Sequence, residues 1–100
     1  MIRVVAASKI YSDKIDEYYN TVKELITETN KEEGCIYYTL SKDVKDPTIH
    51  YMSEGWTDRE ALDRHMHSPH FTRIVPALAQ YIECRPMEML LMEEVDVTGK

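Results

Sequence analysis

Several functional classes are excluded by what this chain has little of. In 100 residues it carries two cysteines, Cys35 and Cys84, too far apart for a CxxC redox pair or a zinc clamp. They read as reduced, partly buried thiols. Glycine and proline, three and four in number, are too few for a linker or a low-complexity segment. Net charge is −6, with acids and bases interleaved. No basic block or Lys/Arg stripe supplies the electrostatic footprint of a nucleic-acid binder. No apolar run approaches the roughly 20 residues that span a bilayer. Met1-Ile2-Arg3-Val4-Val5 opens directly in a strand pattern rather than as a signal peptide, so a cytoplasmic protein is expected. Gly-rich phosphate loops, GxSxG and Cys-His metal spacings do not occur, which leaves nucleotide and flavin sites without support.

What is present is a regular alternation of strand and helix patterns. Ile2 to Ile10 is rich in Val, Ile and Ala and reads as a strand. Ser12 is the expected N-cap of a helix whose apolar stripe is Ile15, Tyr18, Tyr19, Val22, Leu25, Ile26 and Thr29. Gly34 is expected to close it. Cys35 to Asp43 forms a second strand, with Ile36, Tyr38 and Leu40 on one face. Lys45-Asp46-Pro47 is turn chemistry leading into a third strand, Thr48 to Trp56. There His50, Met52, Glu54 and Trp56 share a face. Thr57 and Glu60 fit a capping box for a short helix that turns Ala61, Leu62, His65 and Met66 inward. Ser68-Pro69 starts another helix, lined by Phe71, Ile74, Val75, Leu78 and Ile82, which Pro76 should kink or split. Met87 to Val97 is the last strand. One domain over residues 1–100 results, in the order β-α-β-β-α-β with the second helix broken. This is an α+β, ferredoxin-like split βαβ arrangement. Its second sheet face is left bare, and pairing two sheets in a homodimer covers it.

Ionisable and aromatic groups gather where the third strand meets the following helix. His65 on an apolar helix face is either a proton-transfer group or a core histidine bonded to a carbonyl or to Glu54. Glu54, alternating with Met52 and Trp56, is either a carboxylate that orients His65 or a clasp between strand and helix. Trp56, Tyr38 and Phe71 are candidates to stack on a flat ligand, or plain core. His70, near a helix start, is placed to meet an anionic or carbonyl group. His65, His67 and His70 do not read as a metal set. Positions i and i+2 of a helix face apart, and Ser68-Pro69 begins a new one.

The segments Glu33-Gly34-Cys35-Ile36-Tyr37-Tyr38, Asp46-Pro47, Glu54-Gly55-Trp56 and Ala61 to His65 followed by Ser68-Pro69-His70-Phe71 resemble the antibiotic biosynthesis monooxygenase family. The resemblance runs from the first strand to about Leu78. It implies a dimeric α/β barrel with a pocket between sheet and helices in each subunit. Members include oxygenases of quinols and phenols that use dioxygen without metal or flavin. Others cleave haem, and others isomerise a phosphorylated autoinducer sugar. The haem-cleaving members use an Asn in the first strand, a Trp on the second helix and a His on the third. Here those places hold Ala6, Ala7 and Ser8, then His65, then Val75, so haem is not expected.

The resemblance therefore implies a cofactor-independent monooxygenase of a small aromatic substrate. Dioxygen is its co-substrate, a second copy its partner in a homodimer, and no metal is required. His65 and Glu54 are the expected catalytic residues. Trp56, Phe71, Tyr38 and His70 are the expected substrate contacts. An isomerase acting by proton transfer at a small carbonyl or phosphorylated autoinducer compound, and a non-catalytic ligand-binding or stress-associated dimer, are the alternatives.

Overall fold

Strand β1 (Ile2–Lys9) lies at the centre of the sheet, between β3 (Ile49–Trp56) and β4 (Glu88–Glu93), with β2 (Cys35–Lys42) beyond β3. The order β2-β3-β1-β4 is antiparallel throughout, which is the ferredoxin-like arrangement. The computed structural model describes residues 1–83 and 88–99, with the backbone alone at Glu88. Cys84, Met87 and Pro86, expected as a thiol and as the entry to the last strand, lie outside the described residues.

Helix α1 (Ile15–Thr29) buries Tyr18, Val22, Leu25 and Thr29, the stripe expected from its periodicity. These pack with Ile2 and Val4 of β1, Trp56 of β3, and Ile74 and Leu78 of helix α3 (Pro69–Leu78). Helix α2 (Arg59–Met66) adds Ala61, Leu62 and His65. Within β3 the inward set is His50, Glu54 and Trp56, each 7% exposed or less. The opposite sheet face carries Leu90 and Met92, which stay 42% and 39% exposed. Among the described residues no helix is long and apolar enough to cross a membrane.

Local details depart from the expectations. α1 begins at Ile15 behind Lys14, which makes no side-chain cap, so Ser12 does not cap it. It ends at Asn30, whose Nδ2 donates to the carbonyls of Ile26 (2.8 Å) and Tyr38 (3.0 Å). Asn30 therefore closes the helix and holds the start of β2, ahead of Gly34. Gly34 serves the turn instead. It has φ +88°, and a Cβ there would stand 2.5 Å from Cβ of Ala61. Only glycine lets this turn lie against α2. Asp58 caps α2, accepting the Ala61 N–H at 2.8 Å, in place of the Thr57 box. Ser68 caps α3 as expected. Pro76 does not split α3, because it sits near its end on an exposed face. The chain then tightens into a 3-10 turn at Ala79–Tyr81. Ile82 leaves the helical path and bridges to Ile10. A register shift between Cys35 and Tyr37 turns Ile36 outward, 51% exposed, away from Tyr38. β4 is shorter than expected, ending at Glu93.

Candidate functional site

A cavity of about 220 Å³ opens between the sheet and helices α1 and α3. β1 makes room for it with Ala6 and Ser8, both small. The walls are mostly apolar, from Leu25, Met52, Val75 and Leu78, with aromatic faces from Tyr18, Tyr38 and Phe71. Two ionisable side chains of β3 reach this space, Glu54 and His50. They are four residues apart on a strand, so the pleat puts both on the inward face, which carries Met52 between them.

Glu54 is held by strand register. Its Cα pairs with Val4 on one side and Tyr38 on the other, deep in the sheet. Oε1 accepts the indole N–H of Trp56 at 3.0 Å. Burial raises its pKa from the ordinary 4.5 to about 7, the Trp56 hydrogen bond pulls the other way, and the Glu32 charge adds a further rise. A carboxyl poised near neutrality in an apolar cavity can hold or release a proton at working pH. Tyr38, its cross-strand neighbour, has its phenol pushed well up by burial and by the Glu54 charge, so it stays a neutral O–H. Burial, with Tyr19 nearby, raises Tyr18 to about 12.

His50 was not among the residues expected at the site. Its Nδ1 lies 3.3 Å from the Thr48 carbonyl and its Nε2 2.7 Å from the Tyr19 hydroxyl. A carbonyl only accepts, so Nδ1 carries the proton and Nε2 accepts from Tyr19. The inward alternation of β3 was the signal for it. Tyr19 on α1 is thus a hydrogen-bond donor as well as a packing residue.

His65 sits one layer away. It is 1% exposed, with its ring 4.7 Å from Trp56, 5.0 Å from Phe71 and 5.2 Å from Tyr38. Its carboxylate partner is Glu32, not Glu54: Nδ1 stands 2.7 Å from Glu32 Oε2. The same oxygen is 2.7 Å from Nε2 of His70. Burial lowers the pKa of His65, with Glu32 opposing, so the imidazole tends to the neutral form. Its Nε2 is buried without a partner. Neither His65, Trp56 nor His70 lines the cavity, whereas Glu54, Tyr38 and Phe71 do. His67 points elsewhere, with Nδ1 2.8 Å from the Asp63 carbonyl.

Glu32, like His50, is a residue that sequence reasoning missed. It lies in the turn after α1, where no periodicity fixes the direction of a side chain. The turn is set by Glu32 N–H to Thr29 O and Cys35 N–H to Glu32 O, and by the left-handed Gly34. His65 and His70 meet because the chain reverses between α2 and α3, so helical spacing does not govern the pair.

The family model described as antibiotic biosynthesis monooxygenase matches residues 1–77. A solved structure of a conserved protein from Methanosarcina mazei Go1 is 38% identical, with TM-score 0.90 over 94% of this chain and 92% of that one. A solved antibiotic biosynthesis monooxygenase is 35% identical, with TM-score 0.88 over 96% of this chain and all of that one. Among curated proteins, sll1783 of Synechocystis sp., an uncharacterized protein, is 33% identical over 73 residues. That match takes in 72% of this chain, which spans half the length of that relative.

Proposed function

The chain belongs to the antibiotic biosynthesis monooxygenase family, and we propose that it oxidises a quinol or phenol-like small molecule with dioxygen, without metal or flavin chemistry. One observation carries the reading: Glu54, buried and bonded to the indole N–H of Trp56, faces an apolar, aromatic-walled cavity, and that burial pushes its pKa up to about 7. Ligand sites for drug-sized molecules run to about 300–1,000 Å³, so this space suits a smaller ring compound. Tyr38 and Phe71 flank the ring, and Glu54 accepts the proton of its hydroxyl. The resulting phenolate is electron-rich and passes an electron to dioxygen. The pair then combines at a ring carbon. One oxygen atom stays on the ring as a carbonyl, the other leaves as water, and the substrate supplies all the electrons.

Within the expected catalytic pair, the proton-transfer part falls to Glu54 and a supporting part to His65. Glu54 moves the proton, Trp56 holds its carboxylate, and His65 supports Trp56 and Phe71 from behind. His70 acts with Glu32 rather than on the substrate. Among the described residues that line the cavity there is no Lys or Arg, so these offer no cationic partner to the phosphorylated sugar of the isomerase alternative. The uncovered sheet face with Leu90 and Met92 supports a homodimer as the working form.

Oxygen uptake across a series of hydroquinones tests this. Uptake matched by a hydroxyquinone that carries one oxygen atom from dioxygen is expected, without hydrogen peroxide, and Glu54→Gln should lower turnover by about 10²–10⁴-fold while the fold persists. Turnover that continues without oxygen, or an unaffected Glu54→Gln, overturns the reading.

A further inference from the structure

We propose that Glu32, His65 and His70 bind a divalent transition-metal ion, zinc by their donor set, and so tie the α1–β2 turn to helices α2 and α3. This site does not depend on the cavity chemistry, since none of the three residues lines the cavity.

The three ligand atoms, Glu32 Oε2, His65 Nδ1 and His70 Nε2, lie within 4.8 Å of one another. Two imidazoles and one carboxylate form a zinc set that leaves a position for water. Calcium and magnesium ask for oxygen ligands throughout and are poorly served here. Both nitrogens already stand 2.7 Å from the one oxygen. Tetrahedral ligands at about 2.0–2.1 Å from an ion sit roughly 3.3 Å apart, so to admit it each nitrogen moves out from the oxygen by roughly half an ångström while the two nitrogens, now up to 4.8 Å apart, draw together. Glu32 and His70 side chains are each 15% exposed, which leaves a way in from solvent, while His65 anchors the site from the core.

The unpartnered atom of His65 fits the same picture. In the hydrogen-bonded form Nδ1 carries the proton and Nε2 is a bare lone pair, buried among the rings of Trp56, Tyr38 and Phe71. Metal at Nδ1 moves the proton to Nε2. An N–H meets aromatic π density favourably, where a lone pair does not. Each neutral imidazole only exchanges tautomer, and the dication offsets the Glu32 carboxylate.

Chelator-treated full-length protein titrated with Zn²⁺, and in parallel with Co²⁺ followed by its visible ligand-field absorption, provides the test. Saturation at one ion per chain is expected, with a rise in melting temperature. His70→Ala, at a partly exposed position, should weaken binding by more than the roughly 10–100-fold that an outer-shell partner is worth, and abolish the melting shift. His67→Ala and Cys35→Ser should bind as the parent does. No binding at millimolar Zn²⁺ overturns the proposal. So does affinity unchanged in His70→Ala, or binding lost in Cys35→Ser, which would put the ion at the thiol.

Discussion

Two glutamates of this protein, one buried and one half-buried, stand in opposite circumstances. Glu54 on β3 accepts one neutral indole N–H and faces an apolar cavity, so burial dominates and its pKa climbs to about 7. Glu32, in the turn after α1, accepts from two imidazoles and keeps an edge in solvent. A carboxylate given two donors becomes a tie between segments. A carboxylate given one, and deprived of water, becomes a proton carrier. The same side chain is a tie in one place and, under the proposed function, a proton carrier in the other, and the partners decide which.

Glu→Gln changes at the two positions should therefore move stability in opposite directions. The largest effect is at Glu54. Below pH 4.5 the folded and unfolded states both hold its proton. Above that the unfolded chain releases it, while the folded one keeps it until about pH 7. The folded state binds more protons in this window, so stability falls as pH rises and levels off above about 7. The shift corresponds to about 3 kcal/mol. Glu54→Gln removes that penalty but buries an amide, and a net gain of about 2 kcal/mol at pH 8 is expected. Chemical denaturation at pH 5 and pH 8 checks it: the gain should vanish at the lower pH.

At Glu32 the sign reverses. Glu32→Gln keeps an acceptor but loses the charge-assisted bonds to His65 and His70, at a cost of about 1–2 kcal/mol in the metal-free protein. Urea titration of that variant without a gain or loss would mean that the two imidazoles are indifferent to their carboxylate. The smallest effect is expected at the far end of the cavity. Tyr19→Phe leaves the Nε2 of His50 without its donor and should cost about 1 kcal/mol, read as a modest fall in melting temperature.

The two regions also differ in how far they could be read from sequence. Strand alternation places Glu54, Met52 and Trp56 inward, and helical spacing turns His65 to the core, because a repeating backbone aims its side chains. The β-α-β-β-α-β order of elements supplies the ferredoxin-like topology, with which the family resemblance agrees. Glu32 sits outside any repeat, and its direction comes from a left-handed glycine and two backbone bonds. His70 reaches His65 only through the reversal at Ser68. The shift in β2 that exposes Ile36 has the same character: one extra residue in a strand breaks the alternation on which the reading depends. Capping signals were ambiguous where two residues qualify, as Thr57 and Asp58 both do, and local backbone geometry chose Asp58.

Glu54 is expected to titrate near neutrality inside the cavity. A carbon-13 NMR titration of the glutamate carboxyls, with the Glu54 signal assigned by its loss in Glu54→Gln, measures this directly. A midpoint near pH 7 is predicted for that one resonance. A midpoint near the ordinary 4.5 would show Glu54 to be an ionised structural acceptor for Trp56, and would contradict its part in the chemistry.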